Sequence, residues 1–410
     1  MRNLHSTAIL LILFVLAVLA STLAGAQTFT VLHYFAGTDG GNPTAGVTVS
    51  RSGALFGTTN LGGDGFGTVF RMTEKGSAWV FDPLYKFTEE SDGANPTAGV
   101  AMGPDGALYG TTSAGGDFPA LGTVFQLRPP ATACKTAICY WNKTVLHNFS
   151  GDLTDGGSPG FGNVTFDQAG NIYGTTNSNG AYNCGVVWEL TPSGGGWTES
   201  VLYNFNFAGK TDGCGPFSGV IFDAAGNLYG NTAYGGSDRA GTVYQLAPSK
   251  GDWVERILAN LNGSTGSNPW GTLIMDQSGN LYGTASTRGP QDEGSVFELS
   301  AARGWALSLL YPFPLCGTTA GVTLGPDGNL YGACPQGGAY SRGWVFEIPP
   351  NCNQTCQPTD LHDFDGDGAT PYGAVAFDAS GNLYGTTYSG GNLGNGCRNL
   401  GCGVVWEITP

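Results

Sequence analysis

A phrase of the form Gly-Asn-Leu-Tyr-Gly-Thr-Thr recurs seven times along the chain, and no other feature restricts the fold as strongly. It reads "GNLYGTT" at residues 381–387, with relatives such as "GNIYGTT", "GNLYGNT", "GALYGTT" and "GALFGTT" upstream. Its second glycine stands at Gly57, Gly110, Gly174, Gly230, Gly283, Gly332 and Gly385, about 50–64 residues apart. A period of this size marks a solenoid, a propeller or an array. Each period carries four short apolar pieces. The first is a run such as "GVTV", "GVIF" or "AVAF", and the phrase itself is the second. The third follows a glycine, as in "GTVF" or "GVVW", and the fourth ends on an aromatic or apolar residue, as in "VLHYF", "PLYKF" or "LLYPF". All are β-branched or aromatic and are bounded by Gly, Pro, Asn and Asp, which predicts strands. No 3.6-residue apolar period runs for three turns after the N-terminal segment, so no helix is predicted there.

Four antiparallel strands repeated seven times predict an all-β, seven-bladed β-propeller. Runs such as "VIF" at 220–222 and "VVW" at 404–406 are apolar on both faces. A blade sandwiched between neighbours requires that; an open sandwich or a lipocalin-type barrel would alternate. The ends of the chain specify closure. Residues 29–35, "FTVLHYF", are a spare fourth piece, and the chain stops at Pro410 after a third piece. Pairing of the N-terminal strand with the C-terminal blade closes the ring and removes a sheet edge. The link "DQAGN", "DAAGN" or "DASGN" between the first two pieces predicts a tight Asp-initiated, Gly-ended hairpin. The glycine of "LYG" is read as the place where a neighbouring blade approaches closely. Trp79, Trp141, Trp197, Trp253 and Trp305 share one repeat position and are read as wedges between blades.

Residues 1–26 carry Arg2, an apolar run at 8–20 and the small-residue pattern "LAGA", which predicts a signal peptide. The run is too short for a comfortable membrane span. Residues 27–410 then form one propeller domain of about 384 residues. The net charge of −15 argues against nucleic acid and anionic membrane surfaces as partners. Ten cysteines in an exported chain favour disulfides over metal sites.

Strand order divides the loops between two faces. Four-to-one and two-to-three loops share the top; one-to-two and three-to-four loops share the bottom. Cys184, Cys214, Cys316, Cys334, Cys397 and Cys402 fall on top, and Cys134, Cys139, Cys352 and Cys356 below. The expected pairs are Cys184–Cys214, Cys316–Cys334, Cys397–Cys402, Cys134–Cys139 and Cys352–Cys356. Cys184–Cys402 stays open, because the two hold equivalent positions in blades three and seven.

The candidate binding residues are the aspartates of the "DGxxP" loops on the top face: Asp39, Asp92, Asp155, Asp212 and Asp367. Converging carboxylates would suit Ca²⁺ or a polar ligand; each could equally open a turn. Blades five and six lack the aspartate, with Thr265 in one and no counterpart in the other. Arg398 and Asn399 join the candidates, inside the small Cys397–Cys402 ring of the longest two-to-three loop. His33, His147 and His362 occupy one position of the fourth strand and are read as packing residues. No GxSxG and no Ser-His-Asp arrangement is legible. No catalytic residue and no cofactor other than Ca²⁺ is assigned.

The runs "LHYFAGTDGGNPTAGV" and "ALFGTTNLGGDGFGTVFRM" resemble the GloVer-type tandem repeat of Gloeobacter and Verrucomicrobia. The resemblance covers nearly all of residues 29–410 and implies an exported repeat protein. Members often end in a surface anchor, whereas this chain ends at Pro410, so a soluble secreted or periplasmic monomer is expected. The expected function is non-catalytic binding or scaffolding, with the top loops recognising an extracellular glycan or protein. The alternative is a propeller enzyme of lactonase or lyase type with a loop-built, Ca²⁺-dependent site.

Overall fold

The computed structural model describes residues 27–89, 91–132, 139–209, 211–287, 289, 294–314, 316–317, 320–391, 397 and 400–410. They form a seven-bladed β-propeller. Blade one is typical, with Thr48–Val49, Leu55–Thr59, Thr68–Lys75 and Ala78–Lys86 in antiparallel order from axis to rim. Six blades are four-stranded. Blade three has a fifth strand, Gly156–Pro159, alongside Ile172–Asn179. In blade seven the outermost strand is Thr28–Tyr34, paired with Val404–Thr409 from Thr28↔Thr409 to Tyr34↔Val404. The ring is closed by the two ends of the chain. Helical structure among the described residues is limited to two 3₁₀ turns, Phe207–Gly209 and Ala301–Arg303.

The recurring phrase builds this ring piece by piece. Its hairpin is locally determined: in blade three Asp167 Oδ1 accepts from the N–H groups of Ala169 and Asn171, and Gly170 takes φ 88°. Leucine and tyrosine of the phrase enter different inter-blade cores. Leu383 packs with Val345 of blade six, and Tyr384 with Val47 and Leu55 of blade one. The tyrosine hydroxyl returns to the hairpin aspartate, as in Tyr229–Asp223 at 3.0 Å and Tyr384–Asp378 at 3.1 Å. The first threonine ties its blade to the next. Thr58 Oγ1 donates to Ala98 O, Thr175 to Ser218 O, Thr284 to Ala320 O, and Thr386 to Ala45 O across the closure.

The glycine of the phrase has a different role from the one expected. Gly57 lies directly opposite Phe70 of its own blade, Gly174 opposite Trp188 and Gly385 opposite Trp406. A Cβ at any of these would strike that ring. The missing side chain therefore makes room for a fully buried aromatic of the third strand, not for another blade. Neighbouring blades approach instead at the axis, where Gly46 abuts Ala374, Gly162 abuts Gly219 and Gly271 abuts Gly321. The tryptophans are wedges as expected: Trp79 meets Tyr384 of blade seven edge-on, and Trp305 meets Tyr229 of blade four.

Four disulfides join described residues, Cys184–Cys214, Cys316–Cys334, Cys352–Cys356 and Cys397–Cys402, which closes the Cys184–Cys402 alternative. Cys139 is disulfide-bonded, and Cys134 lies outside the described residues. Disulfides of this number point to an oxidising, extracytoplasmic environment. Among the described residues no helix is long and apolar enough to cross a membrane.

Candidate functional site at the axial mouth

The five aspartates do not converge. Four of them are held within their own loops and by the fourth strand before them. Asp39 Oδ1 accepts from Ala36 N–H, and its Oδ2 lies 3.0 Å from His33 Nε2. Asp155 repeats this with Ser150 N–H and His147, and Asp212 with Asn206 N–H and the Tyr203 hydroxyl. Asp92 accepts from the Tyr85 hydroxyl and Thr88 N–H. Asp367 lies 3.0 Å from His362, without hydrogen-bond alignment. The aspartates, read as candidate ligands, and the histidines, read as packing residues, thus form one clasp between strand and loop. Burial opposes ionisation of Asp39 and Asp155, but the bonds from histidine and backbone outweigh it, and both carboxyls sit below their usual range. Among the described residues no group of three or more His, Cys, Asp or Glu is placed to hold a metal ion. Arg398 and Asn399 lie outside the described residues.

Next to two of these clasps sits a buried acid from the following blade. Glu199 faces His147 and Asp155, and Glu255 faces Tyr203 and Asp212. Burial, then the Asp212 charge, pushes Glu255 up to about 8; burial, then Asp155, pushes Glu199 up to about 7. Burial raises Asp212 as well, against the bonds from Asn206 N–H, Gly213 N–H and Tyr203. An acid whose folded pKa is raised stabilises the fold fully below its unfolded value, here 4.5, and loses that contribution as pH rises through the folded one. Thermal melts are therefore expected to fall between about pH 5 and pH 8.5. Glu255→Gln should recover roughly 2 °C at pH 8.5 on the size scaling of melting temperatures and change nothing at pH 4.5. A wild type equally stable at both pH values would refute this.

The concave surface of the molecule lies on the axis. A cavity of about 730 Å³ is lined by the inner strands and their entry loops, with Thr44, Asn60, Asn163, Thr272, Tyr372 and Tyr388 among its walls. A second cavity of about 520 Å³ adjoins it on the top face and shares Trp270 and Tyr372 with it. At the shared wall, Trp270 lies nearly parallel to two other rings. Trp270 is 6.1 Å and 7° from Phe161, and 5.3 Å and 25° from Phe217. Tyr234 stands edge-on to Phe217 at 6.2 Å, and Tyr372 packs edge-on against Tyr388. Phe161 is 37% and Tyr234 44% exposed, so the shelf reaches solvent. Leu61, Tyr182, Tyr340 and Leu400, in other top loops, are exposed as well.

The sequence reading missed these residues. Phe217, Trp270 and Tyr372 each follow the proline of a four-to-one loop, where blades one and two have Thr44 and Thr97; Phe161 stands one residue later. The available signal was a fixed repeat position whose residue changes from blade to blade while its surroundings do not. Structural needs are shared by all blades, so a varied position on a rim is free to serve a ligand.

The profile of the Gloeobacter/Verrucomicrobia repeat matches residues 17–160 and 141–323. The chain belongs to that family. No curated protein matches it. Among solved structures, the chain resembles the extracellular domain of a one-component system from B. thetaiotaomicron. That match has a TM-score of 0.57 at 10% identity, covering 93% of this chain and 40% of that one. A protein of unknown function from Dyadobacter fermentans matches with TM-score 0.49 at 9% identity, covering 94% and 98%. A protein described as a gluconolactonase matches with TM-score 0.45 at 12% identity, covering 94% and 92%. At such identities the likeness is one of fold alone.

Proposed function

We propose that this family member is an exported, non-catalytic binding propeller that recognises a glycan at the axial mouth of its top face. The observation that carries the reading is Trp270 on the wall shared by two cavities, with Phe161 of the axial cavity and Phe217 packed nearly parallel to it. Flat apolar rings accept the C–H faces of pyranose sugars, and nearby hydroxyls and amides suit their hydroxyl groups. Thr44, Asn60, Asn163 and Thr272 supply such groups in the axial cavity. The shelf is rigid before binding, since its rings are packed on one another and rest on a closed ring of blades, which lowers the ordering cost of association. Export, to the periplasm or the medium, is supported by the disulfides and by the pattern of residues 1–26. A lactonase or lyase would place carboxylates or imidazoles at the mouth. The described walls of the axial cavity are apolar, aromatic, hydroxyl and amide side chains.

The test is a screen of the secreted protein against an oligosaccharide panel, followed by calorimetry on the hits. Trp270→Ala and Phe217→Ala are expected to weaken binding at least ~30-fold, in line with the loss of a central aromatic anchor. Failure of every saccharide to bind, or full affinity in both folded variants, would overturn the reading.

A further inference from the structure

The second cavity differs from the axial one in carrying a cation. Arg239 lines it, together with Tyr234, Trp270 and Gln336. The chain has 31 acidic and 16 basic residues, and three of its other arginines are held by acids. Arg71 is taken by Asp82, Arg128 by Asp105 and Arg303 by Glu298. Arg239, like Arg51, Arg256 and Arg342, forms no ion pair among the described residues, but it alone of these four lines the cavity, with its guanidinium 5.9 Å from the Phe207 ring. Stacking of this kind orients the planar fork without using its N–H donors.

The loop that carries Arg239 is built to hold it. Gly236 N–H donates to Asp212 O, Gly241 N–H to Gly235 O and Arg239 N–H to Gly236 O. Arg239 itself takes φ 57°, a conformation that costs a non-glycine residue energy and is kept here in a closed turn. At the loop's base, Gly213–Cys214 pairs with Tyr234–Gly235, and Cys214 is bonded to Cys184. The cavity also opens where the repeat departs from its pattern. Blade six lacks the proline that the four-to-one loops of the other six blades carry before the inner strand, and Gly317 stands on the cavity wall there.

We propose that the glycan is acidic, with a uronate residue seated in this second cavity and its carboxylate received by Arg239; this rests on the glycan-binding reading above. A guanidinium fork matches a carboxylate in two parallel charge-assisted hydrogen bonds. The aromatic walls, Trp270 and Tyr234, are the right partners for the same sugar's ring. Gln336, exposed and without a hydrogen bond among the described residues, serves its hydroxyls. The negative charge of the whole chain does not forbid an anionic ligand. At physiological salt the Debye length is about 8 Å, so distant carboxylates are screened. The acid next to it in sequence, Asp238, accepts from the Ser237 hydroxyl.

The experiment compares oligogalacturonates, oligoalginates and oligoglucuronates of three to six residues with their carboxyl-reduced, neutral counterparts by calorimetry. At least one acidic series is expected to bind tenfold or more tighter than its neutral counterpart. Arg239→Gln should erase that difference by lowering the acidic affinity, whereas Arg239→Lys should keep part of it. Circular dichroism and melting temperature confirm that the variants fold. Equal affinity for acidic and neutral forms, or an acid preference that survives Arg239→Gln, overturns the inference and leaves the glycan reading standing. Absence of binding by every acidic and neutral oligosaccharide overturns both.

Discussion

Removal of residues 27–36 is expected to turn a cooperatively melting ring into an aggregating chain. Thr28–Tyr34 is the outermost strand of the last blade and pairs along the whole of Val404–Thr409. Phe35 N–H adds a bond to Gly403 O at 3.1 Å. Its side chains serve three blades at once. Phe29 stacks on His362 of blade six at 3.5 Å and approaches Trp406 of its own blade at 6.0 Å. His33 stacks on Phe81 of blade one at 4.0 Å, and Phe35 is fully buried against Phe70 of that blade. Deletion would leave Val404–Thr409 with an unpaired edge, "VVWEIT", which is β-branched, aromatic and carries a single charge. Such an edge is a template for pairing with other chains. The fully buried Phe35 ring is lost as well, on the order of 3 kcal/mol, together with the half-buried stacking contacts of Phe29 and His33. Light scattering and thermal melting are the measurements. A deletion variant that remains monomeric with the wild-type melting temperature would show that the closure contributes nothing.

Closure was legible because it follows from counting strands, and the hairpins because they follow from residues two to four apart. Asp167, Asn171 and Gly170 need no other part of the chain to make their turn. The role of Gly385 was not legible for the opposite reason. Its partner, Trp406, is 21 positions away, and only the register of two strands sets one opposite the other. Period alone says that a glycine recurs, not what fills the space it leaves. The top-face aspartates show a further limit. Asp-Gly at a fixed position fits a ligand and a turn equally well, and the choice turns on whether the carboxylates meet. They are spread around a ring, and Asp39, Asp92, Asp155 and Asp212 are each satisfied by a histidine or tyrosine six to nine residues earlier. The axial shelf was hidden by the habit of reading a repeat for what it repeats. Phe161, Phe217, Trp270 and Tyr372 are the departures, and departures cluster where no blade needs them for its own stability.

Gly46→Ala is expected to be among the most damaging single methyl groups that can be added to this protein. Gly46 stands at the start of the innermost strand of blade one, beside Ala374 of blade seven. A Cβ there would overlap the carbonyl oxygen of Ala374, and that oxygen belongs to backbone. Gly373 is placed reciprocally, with a Cβ that would overlap Gly46 N. The contact lies at the seam between the first and last blades, where Thr386 also donates to Ala45 O at 2.7 Å. Neither blade can retreat, because each is held on its other side by the rest of the ring. Overpacking of a rigid site costs about 3 kcal/mol or more, and the size scaling then places the fall in melting temperature at roughly 4 °C or beyond. Gly196→Ala is the matched control. Gly196 has an ordinary φ, and the nearest atom to an added Cβ is Ser193 O at 3.8 Å. The same substitution is expected to be neutral or slightly stabilising there, since it removes freedom only from the unfolded chain. Equal melting temperatures for the two variants would mean that the blades are not in backbone contact at the axis, and the size of the axial cavity would have to be revised with them.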